Sequence, residues 1–284
     1  MFISNPQNLY SDIIRYKSAR RIIERLDIER KYLEDSYNTI NSLRSGFTTY
    51  RNYLKERIHP DIIVDDINLL DTCLKIIVLT PEQQKEFKKE KDDNIYEDKS
   101  NKRLLYDVEK YINKNIQLLD SAYLYDNLLG LAGLTGRRIA EIACTAEFTK
   151  IDTYRALFDG QLKTKDRDDV SPYEIPLLCD YDLINKSLIK VRKLRPELIN
   201  EIRLFHDNCS SALSKKTKII YNGLFDGIPK TKDLRAIYAL ICFTEFEKTP
   251  ENKRVDRDVY YSRVLGHDTK DTTTCGSYVD FYLL

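Results

Sequence analysis

The stretch LTGRRIAEI, residues 134–142, reads as a glycine turn followed by the start of a helix, with Arg138 opening that helix and Glu141 three residues on. A helix start carries unpaired backbone N–H groups and the positive end of the helix dipole. An arginine set there adds a fixed cation to a ready anion site. Taken alone, the box has an ordinary reading, an ion pair between Arg138 and Glu141.

Three further pieces follow it along the chain. FDGQLKTKDR sits in the segment TYRALFDGQLKTKDRDDVSPYEIPLL, where two short apolar runs flank a charged turn, which predicts a β-hairpin carrying Lys163. TKDLRAIYA places Lys232 and Arg235 one turn apart on a helix face. LGHDTKDTTTCGSY supplies His267 and then Tyr278. Cutting a phosphodiester with a side-chain nucleophile needs a hydroxyl in line, fixed cations on the non-bridging oxygens and an acid for the departing sugar oxygen. Arginine suits the clamp because its planar fork gives two parallel hydrogen bonds and keeps its charge. No carboxylate cluster at suitable spacing appears, so the sequence points to a clamp without metal.

The chain has 284 residues, enough for two domains, and a formal charge of only +1, so no basic excess marks it as a nucleic-acid binder. Local asymmetry exists between residues 13 and 57, where arginines and lysines outnumber acids, although a solvated helical face explains that equally well. The six cysteines show no CxxC and no zinc spacing, which favours free thiols in a reducing compartment. The first residues do not resemble a signal peptide, and the apolar runs CLKIIVL and AIYALICF are too short to cross a bilayer.

Apolar periodicity predicts helix over residues 10–55 and again over 61–79. Residues 81–103 are nearly all charge and amide, the best candidate for a linker, with some helix possible within it. From residue 104 the helical pattern resumes as far as the glycine-rich LGLAGLTG turn. The expectation is a mainly α protein with one small β-sheet: a helical N-terminal domain over 1–80, a charged linker over 81–103, and a larger domain over 104–284.

In this order and spacing the four pieces resemble the catalytic domain of tyrosine recombinases, over roughly residues 118–282. That family surrounds one scissile phosphate with a T-G-x-R-x-x-E arginine, a hairpin lysine, an H-x-x-R box, an L-G-H box and a tyrosine. Arg138 matches the first arginine with Arg137 in the variable position, Lys163 the lysine with Lys165 as fallback, Arg235 the second arginine, His267 the histidine and Tyr278 the nucleophile. Two departures stand out: Lys232 replaces the H-x-x-R histidine, and the interval from His267 to Tyr278 is longer than is common among integrases. A lysine there is a feature of the hairpin telomere resolvases, or protelomerases. The stretches GRRIAEI, ALFDGQLKTK, SPYEIPLLC, RYKSARRIIERLDIE and SLRSGFTTYRNYL look like the spirochaete type of that branch.

The resemblance implies a 3′-phosphotyrosyl intermediate and a free 5′-hydroxyl, with no ATP, metal or other cofactor. It implies a homodimer on double-stranded DNA at an inverted-repeat telomere junction, hairpin DNA as product, and a cytoplasmic, nucleoid-associated location. Lys163 is then the general acid, while Lys232 and His267 hydrogen-bond the phosphate or assist proton movement. Tyr16, Arg20 and Glu24, at four-residue spacing on one helical face, carry over as the hairpin-binding set; an amphipathic helix with a surface ion pair is the plain alternative. Tyr282 competes with Tyr278 as nucleophile, while Tyr260 and Tyr261 read as packing. Cys275 lacks a histidine partner at suitable spacing and reads as a bystander. The rival readings are a conventional tyrosine recombinase with a substituted box, and an inactive DNA-binding paralogue, the latter suggested by how little chain follows Tyr278.

Overall fold

Ser18 and Thr39 interrupt the apolar period of residues 10–55, so the expected continuous run is three helices: α1 (Pro6–Arg15), α2 (Ala19–Ser36) and α3 (Ile40–Arg57). Hydroxyl side chains compete for backbone partners and favour helix starts over helix interiors. Thr39 accepts the Ser42 N–H through its hydroxyl at 3.2 Å. At the start of α2 the cap comes from far away in sequence, as Asp65 Oδ2 accepts the Ala19 N–H at 2.9 Å. Tyr16 is extended, at φ −78° and ψ 131°. It therefore does not share a helical face with Arg20 and Glu24, and that part of the sequence reading is corrected.

The structure, a computed structural model, describes residues 5–162, 171–267 and 281–283. The chain forms two compact units, Met1–Asn94 and Ile95–Leu284. In the first, Leu9, Ile13, Ile22, Leu26, Phe47 and Leu54 bury one apolar core. A polar knot crosses it: Glu29, 0% exposed, accepts from Arg25 Nη1 at 2.7 Å and from the Tyr50 hydroxyl at 2.7 Å. The helix expected over 61–79 is instead a short hairpin, β1 (Ile63–Val64) and β2 (Ile67–Asn68), followed by α4 (Leu69–Ile76). Asp65 and Asp66 both take positive φ, as a two-residue hairpin loop requires, and a helix cannot pass through them. The charged stretch is largely helical, α5 (Pro81–Ser100), running across the division between the units.

In the second unit strand β3 (Arg103–Leu104) follows α5, and the unit is built around α7 (Leu124–Thr135), buried at every residue from Asp126 to Thr135. A helix without a polar face must be wrapped by others. Here the wrapping elements are α6 (Val108–Asp120), α8 (Ile139–Cys144), α9 (Tyr181–Leu194), α10 (Ile202–Ile220) and α11 (Thr231–Phe246). The expected glycine-rich turn begins late, because α7 runs through Gly130 and Gly133. A Cβ on Gly133 would lie 2.1 Å from the Asn115 side-chain oxygen, so α6 sits where that side chain would be.

The predicted hairpin forms two strands of an antiparallel sheet, β4 (Glu147–Lys150), β5 (Arg155–Asp159) and β6 (Tyr173–Pro176), ordered β4-β5-β6. Along β5 burial alternates, with Ala156 and Phe158 inward, as a half-buried strand demands. Helix α12 (Arg257–Leu265) and strand β7 (Phe281–Tyr282) complete the unit, with β7 parallel to β3. Mainly helical with small sheets is the fold class the sequence predicts. Among the described residues, no helix is long and apolar enough to cross a membrane.

Candidate active site

The turn that ends α7 starts the site. Gly136 closes the helix in the left-handed conformation at φ +65°, and a Cβ there would meet the Tyr238 ring at 2.0 Å. Gly136→Ala combines a backbone penalty of about 1–2 kcal/mol with a ring clash that cannot relax cheaply. The expected outcome is a midpoint shift in urea well beyond that of Gly223→Ala, where φ is also positive but the space is open. Equal shifts for the two variants would show that the Tyr238 contact is unimportant.

Directly after Gly136, the two arginines part company. Arg137 is 1% exposed and fully engaged: Nε donates to the Thr135 carbonyl at 3.0 Å, Nη1 to the Tyr173 hydroxyl, and Nη2 to the Val264 carbonyl at 2.5 Å. Its guanidinium also lies 4.8 Å from the Phe158 ring centre. It ties the sheet to the end of α12. Arg138 opens α8 and keeps a more exposed side chain, and its Nη1 donates to Glu141 Oε1 at 2.5 Å.

Glu141 organises the cations. Its Oε2 accepts the Arg138 N–H at 2.9 Å, half of a capping box, and its Oε1 also accepts the Leu162 N–H at 3.2 Å. Burial pushes its carboxyl up, but Arg235, Arg138 and Arg137 together with the Arg138 N–H outweigh that and hold it below the ordinary carboxylate value. A buried anion therefore faces three guanidiniums.

Arg235, on the second turn of α11, is 5% exposed. Nη1 donates to the Gly136 carbonyl at 2.5 Å and Nη2 to the Leu265 carbonyl at 2.6 Å. One guanidinium thus joins the TGRR turn to the Leu-Gly-His box. Gly266 caps α12 at φ +66°, and a Cβ there would fall 2.2 Å from both Gln161 Oε1 and the Tyr173 hydroxyl. Gln161 Nε2 donates to the Gly266 carbonyl at 2.7 Å, and the His267 N–H donates to the Ser262 carbonyl at 2.8 Å. His267 is thereby presented by a helix end that Arg137, Arg235 and Gln161 all grip.

Arg138, Lys232 and Arg235 come together around one cleft of about 610 Å³. Leu162 also lines it, and Ile202, Phe205 and His206 of α10 add a partly apolar wall. Lys163, the next residue after Leu162, lies outside the described residues, as do Lys165, Cys275 and Tyr278. Tyr282 occupies β7 and is 39% exposed, with its neighbour Phe281 turned inward. Burial pushes the Tyr260 and Tyr261 phenols up, in keeping with their reading as packing. Burial likewise pushes the Cys73, Cys179 and Cys242 thiols up to about 12, which leaves them un-ionised at neutral pH.

In the other unit, Arg20 Nε meets Glu24 Oε1 at 2.8 Å with the two side chains 87% and 57% exposed, while Tyr16 packs partly against the apolar core. Sequence reading missed Gln161, Tyr173, the α10 wall and Arg103. Only contacts across the fold reveal them; Arg103, for example, pairs with Asp233 far along the chain.

The family model described as the telomere resolvase ResT/TelK catalytic domain matches residues 102–281. A protelomerase of Klebsiella oxytoca phage phiKO2 is 31% identical over 154 residues, 50% of this chain and 24% of the phage protein. Telomere resolvase ResT of Borreliella burgdorferi is 23% identical over 154 residues, covering 54% of this chain and 33% of that one. The matches thus span a quarter to a third of these curated relatives. Among solved structures, protelomerase TelA complexed with a DNA hairpin product superposes with a TM-score of 0.85 at 21% identity, covering 98% of this chain and 87% of that one. Protelomerase TelK complexed with substrate DNA gives 0.64 at 21% identity, with 98% and 62% covered. These two likenesses speak to the fold.

Proposed function

The chain belongs to the telomere resolvase family defined by the ResT/TelK catalytic domain, and from that premise we propose that it turns replicated linear-DNA telomere junctions into covalently closed hairpin ends. The observation that carries this reading is the convergence of Arg138, Lys232 and Arg235 on one cleft. Cationic side chains gathered there suit a phosphate whose charge builds up during in-line displacement.

Tyr278 Oη attacks the scissile phosphorus, the P–O5′ bond breaks, and Lys163 gives a proton to the departing O5′. Arg138 and Arg235 neutralise the non-bridging oxygens, with Lys232 and His267 as further hydrogen-bond donors. The tyrosine proton leaves to solvent or a neighbouring base, and the phosphotyrosyl ester keeps the energy of the broken bond. The 5′-hydroxyl of the opposite strand, folded back, then attacks that ester and releases Tyr278. A palindromic junction calls for two protomers on one two-fold axis. Arg20 and Glu24 on the exposed side of α2, with Tyr16 at its entry, are the proposed contacts to the DNA hairpin. The proposed site of action is the cytoplasmic nucleoid.

The test is incubation with an inverted-repeat telomere junction, followed by denaturing electrophoresis. Hairpin products from the parent chain and none from Tyr278→Phe are expected. An adduct persisting in Tyr278→Phe moves the nucleophile, with Tyr282 next in line. Holliday junctions in place of hairpins would make the chain a conventional recombinase. Binding without adduct or product would make it a DNA-binding paralogue.

A further inference from the structure

Arg103 is the first residue of β3 and belongs to neither arginine box, yet it joins two parts of the catalytic unit. Nη1 and Nη2 donate to the two oxygens of Asp233 at 3.0 and 2.8 Å. Asp233 is 0% exposed and also accepts the Lys230 N–H at 2.8 Å, so it fixes the first turn of α11 immediately beside Lys232. On its other side the Arg103 guanidinium covers the Phe281 ring, 4.1 Å from its centre. Phe281 is 2% exposed, meets Phe225 edge-on at 5.2 Å, and is the register partner of Arg103 in the parallel β3–β7 pair. Between the two strands the Leu105 N–H donates to the Tyr282 carbonyl at 3.1 Å, and outside the pair the Leu104 N–H donates to Asp226 Oδ2 at 2.9 Å.

We propose that Arg103 is a positioning residue for strand transfer, fixing strand β7 against the first turn of α11, which carries Lys232 and leads into Arg235. The proposal rests on the reading of Tyr278 as nucleophile. Val279 and Asp280 alone separate Tyr278 from Phe281. Three Cα–Cα steps of about 3.8 Å limit the Tyr278 Cα to within about 11 Å of the Phe281 Cα. An anchor on β7 sets where that tether starts, and the Arg103 fork refers it to the phosphate clamp. A bidentate guanidinium fits this task because it fixes both distance and angle, which a point charge does not.

The test uses Arg103→Met, which keeps the stem over Phe281 and removes the fork, with Arg103→Lys as the charge-preserving control. In DNA-free protein, hydrogen exchange in the peptide containing residues 281–283 should speed up at least about 10-fold in Arg103→Met, while α7 amides stay as in the parent. With junction DNA in single turnover, covalent adduct should form about 10- to 100-fold more slowly, with DNA binding within about threefold. The loss should be equal on DNA with a 5′-bridging sulfur, because a thiolate leaves without an acid and a misplaced nucleophile is not cured by a better leaving group. Arg103→Lys should recover little. Parental exchange at residues 281–283, loosening of α7 to the same degree, a parental adduct rate, or rescue by the bridging sulfur would each overturn the proposal. An unmodified chain that forms no adduct while the exchange difference persists would instead overturn the resolvase reading and leave the anchor standing.

Discussion

Glu141→Gln is expected to lower the unfolding free energy of the catalytic unit by about 3–5 kcal/mol, the loss that follows when one partner of a buried charge cluster is removed. The carboxylate uses both oxygens as acceptors, Oε2 for the Arg138 N–H and Oε1 for Arg138 Nη1 and the Leu162 N–H. An amide has one acceptor oxygen, so whichever way it turns, its NH2 faces a donor. Arg235, Arg138 and Arg137 would also lose the anion that offsets their mutual repulsion. The effect should depend on pH in a defined direction. Since the folded-state carboxyl is held below its ordinary value, its stabilising contribution is complete above the unfolded-state value and is lost as pH falls through the folded one. Urea midpoints followed by circular dichroism should therefore separate parent and variant fully near neutrality and draw together in acid. A gap that stays constant into acid, or a loss under about 1 kcal/mol, would mean that Glu141 does not organise the arginines.

What could be read in advance follows from the range of each interaction. Arg138, Lys232 and Arg235 were legible because a Gly turn and an i,i+3 pair are local marks, and the structure brings all three to one cleft. The β5–β6 pairing was legible too, since two apolar runs around a charged turn have few other solutions. The breaks at Tyr16 and Tyr37 were not, because Ser18 and Thr39 also occur on exposed helix faces and the cap at Ala19 comes from Asp65, far along the chain. The Asp65–Asp66 turn was visible as an aspartate pair but lay inside an apolar pattern that also fits a helix. Arg137 seemed a filler beside Arg138, yet it is the more deeply buried of the two. Its partners, Tyr173 and Val264, lie on different elements of the fold, so periodicity carries no trace of them.

Arg235→Ala is expected to slow covalent adduct formation by about 10³-fold, the upper range for removing one preorganised donor from a transition-state charge. Two losses coincide at this side chain. On the proposed reading the phosphate loses a fixed cation, and the carbonyls of Gly136 and Leu265 lose the fork that joins them. Those carbonyls belong to the turn leading to Arg138 and to the box that presents His267, so one substitution loosens two other members of the site. Lysine should not restore the rate. Its ammonium can approach one carbonyl closely, but it lacks the planar fork that reaches Gly136 and Leu265 with separate nitrogens. Substrate affinity should change only a few-fold, because most DNA contacts are to phosphates elsewhere and an interaction made in the transition state acts on the rate. Single-turnover adduct kinetics beside a binding titration separate these effects. A weakened affinity with an unchanged adduct rate would reassign Arg235 to ground-state DNA binding and leave Arg138 and Lys232 as the clamp, while recovery in Arg235→Lys would show that its charge acts without the fork.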